Sequence, residues 1–274
     1  MKQKLIYIGT SHSIIGKLKE SGLFDFSKAI CEEKRVSGLY KETLRKYEVE
    51  LFTFTNKIDF ERIINKFNKS DFIFLIYQLD MIVPANLANT YLFFNLHAGN
   101  LATNRGAHPI IWSILNNDSN TELTLHKINE KIDQGLVLGT YPVDIKQDDD
   151  AIVIKLNMEK GLFYLFENLI SHVKGENVGL PAKGGIYHKP IQEKDYTIDI
   201  FNDSKSTILN KIRSQKQYNG AILYYTNIRF NILQLLEWVD TKCDSFEIKI
   251  INNVIKVKRH DSIFDLEFSK AKEQ

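Results

Sequence analysis

Short apolar segments alternate with helical patterns along the first hundred residues, and this alternation constrains the fold more than any other feature of the chain. Residues 5–8, 49–54 and 71–77 are rich in Ile, Leu, Phe and Tyr, as buried strands are. Residues 13–21 and 58–67 follow two of these segments with helical spacing. Strands that alternate with helices predict an α/β fold, in which a mostly parallel sheet carries helices on both faces. The sequence therefore predicts a Rossmann-like arrangement, although the G-x-G-x-x-G of dinucleotide-binding proteins is absent.

The C-terminal part of the chain has a different hydrophobic pattern, which is typical of antiparallel strands. Residues 221–230 and 246–257 alternate apolar and polar side chains, and Asn252-Asn253 suits a tight hairpin turn. We expect an N-terminal catalytic domain over residues 1–200 and a small, largely antiparallel β segment over residues 201–274. An isolated hairpin is marginal in water, so its apolar face needs a cover. This need favours a homodimer held by the C-terminal β segment, and packing on the chain's own first domain is the competing interpretation.

Composition limits the classes of partner. The 274-residue chain has 36 basic and 34 acidic residues, a balance that argues against nucleic acid or an anionic membrane as the main partner. No apolar run approaches the roughly 20 residues that span a bilayer. Cys31 and Cys243 lie far apart and are expected to be reduced thiols in a cytoplasmic protein. Because no His-x-x-x-His or Cys-x-x-Cys pair occurs, we predict no catalytic metal.

A candidate catalytic site follows the apolar segment Tyr91-Leu92-Phe93-Phe94. Asn95 and His97 lie two residues apart, so on an extended strand both side chains point to the same face. Asp133 follows in the segment Ile132-Asp133-Gln134-Gly135. An amide donor, an imidazole and a carboxylate are the groups that acyl transfer to an amine requires. By spacing alone the pattern is weak, because a single histidine is more often structural than catalytic.

These residues match a longer pattern. Residues 95–112 resemble the signature of the folate-dependent formyltransferases, Asn-x-His-x-Ser-Leu-Leu-Pro-x-x-Arg-Gly-x-x-Pro-x-x-Trp, which is followed by Asp-x-Gly. The matching positions are Asn95, His97, Arg105, Gly106, Pro109, Trp112, Asp133 and Gly135. Leu125-His126-Lys127 also resembles the Thr-x-His segment before the aspartate of that family. The chain departs from the family at Gly99-Asn100-Leu101-Ala102, where Ser-Leu-Leu-Pro is usual, and this suggests a different acceptor. The resemblance spans roughly residues 70–225.

The resemblance implies transfer of a formyl group from N10-formyltetrahydrofolate to an amine. His97 would be the general base, Asn95 would stabilise the oxyanion, and Asp133 would orient His97 and contribute to the cofactor pocket. The segment 77–84 resembles the family's folate loop, with Gln78, Met81 and Ile82 as cofactor-binding residues. The alternative is an ordinary strand-to-helix loop whose apolar side chains fill the core.

The acceptor is inferred from the rest of the resemblance. Residues 198–199, 208–213 and 218–221 resemble the sugar-nucleotide formyltransferases, although Ser214 and Asn219 replace the usual Ala and Pro. We expect a nucleotide-linked amino sugar, specifically a dTDP-linked 3- or 4-amino-dideoxyhexose used in surface polysaccharide such as lipopolysaccharide O-antigen. The expected substrate-binding residues are Ser11, His12, Arg105 and Tyr224. A methionyl-tRNA formyltransferase and a non-catalytic binding module on the same fold remain alternatives.

Overall fold

The computed structural model describes residues 1–182 and 184–270. The strands are β1 (Gln3–Gly9), β2 (Phe24–Glu32), β3 (Glu50–Phe54), β4 (Phe72–Tyr77), β5 (Leu92–His97), β6 (Arg105–Gly106), β7 (Asn120–Lys127), β8 (Leu136–Asp144), β9 (Leu180–Pro181), β10 (Tyr187–His188), β11 (Ala221–Tyr225), β12 (Ile228–Asp240), β13 (Glu247–Ile251), β14 (Val254–Arg259) and β15 (Ser262–Lys270). The helices are α1 (His12–Ser21), α2 (Gly38–Lys46), α3 (Lys57–Ile64), α4 (Ala85–Thr90), α5 (Pro109–Leu115), α6 (Ala151–Glu159), α7 (Leu162–Val173), α8 (Glu193–Tyr196) and α9 (Lys205–Gln215). Short 3₁₀ segments lie at Glu33–Arg35 and Lys216–Tyr218.

The main sheet has the strand order β3-β2-β1-β4-β5-β7-β8-β9. Strands β3, β2, β1, β4 and β5 are parallel to their neighbours, whereas β7 is antiparallel to β5. A mostly parallel sheet with alternating helices confirms the predicted fold class. The carboxyl ends of β1, β4 and β5 lie side by side, which is the edge where open α/β sheets bind ligands.

Two local features differ from the sequence prediction. Strand β2 was not predicted, because exposed Asp25 and Ser27 interrupt its apolar residues. The helical periodicity after Asp150 predicts one long helix, but a turn at Lys160-Gly161 divides it into α6 and α7. At that turn Gly161 lies against the ring of Tyr141, where a Cβ atom would meet ring carbons at 2.1 Å.

The chain divides into two compact units. The first comprises residues 1–106, 122–143 and 157–187, and the second comprises residues 107–121, 144–156 and 188–274. The predicted boundary near residue 200 stays a prediction. No helix among the described residues has the length and apolar character that crossing a membrane requires.

Within the second unit, a five-stranded antiparallel sheet has the order β11-β12-β15-β14-β13. The predicted hairpin is confirmed: β13 pairs with β14 around Asn252-Asn253. The predicted strand over residues 221–230 is instead a second hairpin, which turns at Thr226-Asn227 with both residues at positive φ. One face of the sheet packs on α9, and its core members are Ile198, Ile200, Ile208, Ile212, Ala221, Leu223, Phe230, Ile232, Ile255, Val257, Phe264, Leu266 and Phe268. Residues 271–274 of the predicted segment lie outside the described residues.

Gly220 at the start of β11 provides a test of this second unit. It has φ 89°, and an added Cβ would lie 2.1 Å from the carbonyl oxygen of Ile232. Gly175 has a similar φ of 81° but no atom within 4 Å of the added Cβ. We expect Gly175→Ala to cost about 1 to 2 kcal/mol for left-handed backbone alone, and Gly220→Ala to cost clearly more because it also clashes with backbone. Chemical denaturation of both variants measures the difference, and equal losses would contradict this packing.

Candidate active site

Two neighbouring strands carry the centre of the candidate site. Asn95 and His97 lie on β5, and the antiparallel register pairs Asn95 with His126 and His97 with Thr124 on β7. Residues directly opposite each other on paired strands project from the same face of a sheet. The register therefore brings His126 into the site beside the two residues that the sequence predicted. His97 and His126 are 5% and 2% exposed, so both imidazoles lie in surroundings from which water is largely excluded.

Asp133 reaches the same place from the loop between β7 and β8. Its Oδ2 accepts a hydrogen bond from the Gly106 N–H at 2.7 Å and lies 3.7 Å from His97 Nδ1. The loop folds back tightly onto the end of β7, because a Cβ atom on Gly135 would lie 1.6 Å from the carbonyl oxygen of Lys127. The Asp-x-Gly spacing thus has a steric cause: only glycine allows the close approach that delivers the carboxylate.

The hydrogen bonds of His97 define its neutral tautomer. Its Nε2 lies 2.7 Å from the backbone carbonyl oxygen of Asn104. A carbonyl only accepts hydrogen bonds, so Nε2 carries the proton and Nδ1 has the free lone pair. When Nδ1 takes a proton, the resulting imidazolium has the Asp133 carboxylate 3.7 Å away. The arrangement gives a base whose protonated form is stabilised by a carboxylate already in place.

Burial and neighbouring charges shift the pKa values of His97 and Asp133 in opposite directions. Burial lowers the pKa of His97, and it outweighs the opposing effect of the Asp133 carboxylate, while His126 lowers the pKa further. For Asp133, burial alone would raise the pKa, but the two neighbouring imidazoles and the Gly106 N–H outweigh it and bring the pKa to about 2. At neutral pH the site therefore holds a neutral imidazole beside an ionised carboxylate.

The loop after β4 has the features that a flat heteroaromatic ligand with a polar edge needs. Gln78 adopts φ 61°, and Ile82 is 66% exposed, although Met81 packs against the core. Within residues 1–182 and 184–270, the backbone N–H and C=O groups of residues 79–83 make no hydrogen bond. The sequence did not single out Arg35, which supports this loop: its guanidinium donates to the carbonyl oxygen of Gln78 at 3.1 Å and to Asp80 at 2.7 Å.

The residues expected to bind the acceptor have different surroundings. Ser11 is buried after β1, with its Oγ 2.9 Å from that of Ser13, and the exposed His12 begins α1. Arg105 donates from its guanidinium to the carbonyl oxygen of Gly185, which gives it a structural contact. Tyr224 belongs to the second unit, where its hydroxyl donates to Glu193 at 2.6 Å. A role in substrate binding stays a prediction for all four residues: Ser11, His12, Arg105 and Tyr224.

The opposing effects of burial and of the Asp133 carboxylate on the pKa of His97 can be tested by titration. We expect His97 to titrate below its ordinary value of about 6.5, because burial disfavours the imidazolium. A lowered folded-state pKa means that stability falls as the pH drops below the unfolded-state value, because the unfolded chain then binds more protons. Asp133→Asn should lower the pKa of His97 further, because it removes the favourable charge. NMR titration of the imidazole C–H signals measures both values, and a titration of His97 above 6.5 would contradict this description.

Comparisons with known proteins agree with this architecture. No family model matches the chain. The chain is 29% identical over 161 residues to the bifunctional polymyxin resistance protein ArnA of Wigglesworthia glossinidia brevipalpis, and the match covers 57% of the chain and 24% of ArnA. It is 28% identical over 212 residues to the methionyl-tRNA formyltransferase of Sulfurihydrogenibium sp., with coverage of 74% of the chain and 66% of the relative. The chain thus spans less than two thirds of the length of these curated relatives.

A solved structure matches along nearly its full length. The N-formyltransferase from Helicobacter canadensis, in complex with folinic acid and dTDP-3-aminofucose, superposes with a TM-score of 0.68 at 18% identity. The match covers 97% of this chain and 99% of that one. At this identity the likeness concerns the fold. The chain therefore has the formyltransferase fold, which it shares with methionyl-tRNA formyltransferase and ArnA.

Proposed function

We propose that the protein transfers a formyl group from N10-formyltetrahydrofolate to the amino group of a nucleotide-linked amino sugar. The observation that carries this proposal is the group formed by Asn95, His97 and Asp133, in which a buried, neutral imidazole lies 3.7 Å from an ionised carboxylate. A binding module would need none of these three groups together. An acyl transfer needs all three.

N10-formyltetrahydrofolate supplies the formyl carbon and, in its N10, the leaving group. His97 Nδ1 takes the proton that the attacking amine loses as its nitrogen bonds to the formyl carbon. Asn95 donates from its side-chain amide to the oxygen on which negative charge develops, a contribution of about 3 to 4 kcal/mol in comparable sites. His97 then returns its proton to the departing N10 nitrogen as the old carbon–nitrogen bond breaks. Asp133 stabilises the imidazolium between these two transfers and stays ionised throughout.

We propose that the loop after β4 forms the folate-binding site. The free backbone groups of residues 79–83 would pair with the polar edge of the pterin, and the exposed side chain of Ile82 would cover its face. Met81 would support the pocket from the core side, and Gln78 would line it at the end of β4. The position fits a cofactor that must present N10 near His97, since β4 and β5 are adjacent and end at the same edge.

The acceptor is proposed to be a dTDP-linked 3- or 4-amino-dideoxyhexose for surface polysaccharide. The support comes from the sugar-nucleotide pattern in residues 198–221 and from the end-to-end match to a structure that holds dTDP-3-aminofucose. The similarity to a methionyl-tRNA formyltransferase favours initiator tRNA as the second candidate. The nearly balanced charge argues against tRNA, because binding it requires several cationic contacts to phosphates.

One experiment separates these acceptors. The purified protein is incubated with N10-formyltetrahydrofolate and either a panel of nucleotide-linked amino sugars or charged initiator tRNA. Mass spectrometry then reports the gain of one formyl group. We expect formylation of an amino sugar. Formylation of tRNA alone, with binding that weakens steeply as salt rises, would establish the second candidate.

Substitutions in the site test the assigned roles. We expect His97→Asn and Asp133→Asn to lower turnover far more than substrate affinity. The reason is that His97 carries the proton from the amine to N10, and Asp133 stabilises the imidazolium that forms between these two transfers. Asn95→Ala should lower turnover by about 100- to 1,000-fold if it is the oxyanion donor. His172→Asn is the matched control, since this half-buried imidazole lies on α7 and bonds the Asn177 carbonyl. Near wild-type turnover in His97→Asn would refute the general-base role.

The rate should also depend on pH in a defined way. Because the pKa of His97 is lowered, its contribution to the acidic limb of the rate should lie below about pH 6.5. Protonation of the acceptor amine adds a separate limb, which the His97→Asn variant should retain. A flat profile between about pH 5.5 and 9, with chemistry rate-limiting, would contradict the mechanism.

A homodimer through the C-terminal sheet is part of the proposal. Ile255 and Val257 are buried inside their own unit, so the hairpin face is covered there. Apolar side chains nevertheless stay exposed on the same sheet, namely Leu233, Leu236, Val239, Ile250, Ile251 and Ile263. In addition, β13 is an edge strand whose outer backbone groups are available for pairing.

Light scattering tests the dimer. We expect a dimer mass for the wild type at micromolar concentrations and a monomer for Ile251→Lys, which places a charge on the exposed side of the edge strand. Ile58→Lys on α3 is the matched control, because Ile58 is also exposed and should leave the mass unchanged. Deletion of the hairpin is less informative, since it would remove Ile255 and Val257 from the core. A wild-type monomer mass would refute the dimer.

A further inference from the structure

His126 makes a contact with Asn95 that the mechanism above does not use. The Nε2 atom of His126 lies 3.2 Å from the side-chain nitrogen Nδ2 of Asn95, and the two residues are direct cross-strand partners on β7 and β5. His126 is buried at 2% exposure, so its hydrogen bonds are not exchanged with bulk water. A buried hydrogen-bonding group of this kind strongly restricts the orientation of its partner.

The protonation of His126 follows from its second contact. Its Nδ1 lies 3.2 Å from the backbone carbonyl oxygen of Lys127, which can only accept a hydrogen bond. Nδ1 therefore carries the proton, and in the neutral ring Nε2 has a free lone pair. Asn95 Nδ2 carries only donors, so it donates to that lone pair. Nε2 also lies 3.5 Å from Asp133 Oδ1, a distance beyond the usual range of N–H···O hydrogen bonds, so in the neutral ring the shorter contact with Asn95 is the one that Nε2 makes. When Nε2 carries a proton, the contact with Asp133 is the one through which His126 favours the carboxylate.

We infer that His126 is a positioning residue that fixes the side-chain amide of Asn95 with its NH₂ group on the catalytic side. One N–H of Asn95 bonds to His126 Nε2, and the second N–H remains for the developing oxyanion. If the amide rotated by half a turn, its carbonyl oxygen would face the lone pair of Nε2, and the two acceptors would repel each other. The orientation of the oxyanion donor, Asn95, is thus fixed by the imidazole of His126, which itself contacts no reacting atom. This inference rests on the proposed formyl transfer for its kinetic consequences alone.

Two variants separate the hydrogen bond from the bulk of the ring. His126→Leu removes the acceptor, whereas His126→Gln offers its side-chain oxygen at about the position of Nε2. We expect His126→Leu to lower turnover about 10-fold with little change in KM. This loss is smaller than the loss of about 100- to 1,000-fold expected when Asn95→Ala removes the oxyanion donor itself. His126→Gln should recover most of that loss. His172→Leu controls for removal of an imidazole elsewhere in the same unit.

A double-mutant cycle shows whether His126 acts through Asn95. Once Asn95→Ala has removed the amide, His126→Leu should cost little more, so the double variant should turn over about as fast as Asn95→Ala alone. A merely structural role would give additive losses. Additive losses, or a His126→Gln variant as impaired as His126→Leu, would overturn the inference.

A measurement without turnover keeps the inference separate from the proposed function. Nitrogen-15 NMR distinguishes protonated from bare imidazole nitrogens, and the His126 signals are assigned by their absence in His126→Gln. We expect the neutral ring to carry its proton on Nδ1 and to have a bare Nε2. A protonated Nε2 would overturn the inference, even in an active enzyme. If the protein formylates none of the acceptors, the proposed function fails while this result still decides the role of His126.

Discussion

The antiparallel pairing of β5 with β7 is the constraint on which the rest of the site depends. Its register sets Asn95 opposite His126 and His97 opposite Thr124, so these four polar side chains share one face of the sheet. A slip of β7 by one residue would turn His126 and Thr124 to the face opposite that of Asn95 and His97. The loop that returns from β7 then needs only a few residues to bring Asp133 back to the same point. The site is therefore built mainly from sheet geometry.

The sequence revealed the parts of this site that are local. Asn95 and His97 could be predicted because their spacing and the preceding apolar run are both visible within seven residues. His126 was recognised as part of the family pattern, but its position in the sequence indicated no partner. Its partnership with Asn95 depends on strand register, which links residues 31 positions apart and leaves no local pattern. The support that Arg35 gives to the loop after β4 was invisible for the same reason.

Two features of the fold could not be predicted, because the residues at these positions depart from the usual sequence patterns for a hairpin turn and for a continuous helix. The hairpin at Thr226-Asn227 places two non-glycine residues at positive φ, so the sequence lacks the Asn-Gly or Asp-Gly turn that normally marks such a turn. The break at Gly161 depends on Tyr141, whose ring occupies the space that a side chain would need. In the second case a tertiary contact decides where the helix ends. In contrast, α1 ends at Gly22 as predicted, because a left-handed glycine is itself a local stop signal.

The site combines two requirements that usually conflict. A base for an amine must be neutral near physiological pH, and burial secures this for His97 by disfavouring the imidazolium. The same burial would also favour a protonated Asp133, which could then no longer stabilise the imidazolium that forms during the reaction. The two neighbouring imidazoles prevent this, together with the Gly106 N–H that donates to Asp133 at 2.7 Å, because these groups favour the carboxylate more than burial disfavours it. Gly106 is the glycine of the Arg-Gly in the sequence pattern, and its φ of 94° is a backbone conformation that favours glycine. Removing water from the site is thus compatible with keeping one group neutral and its neighbour ionised.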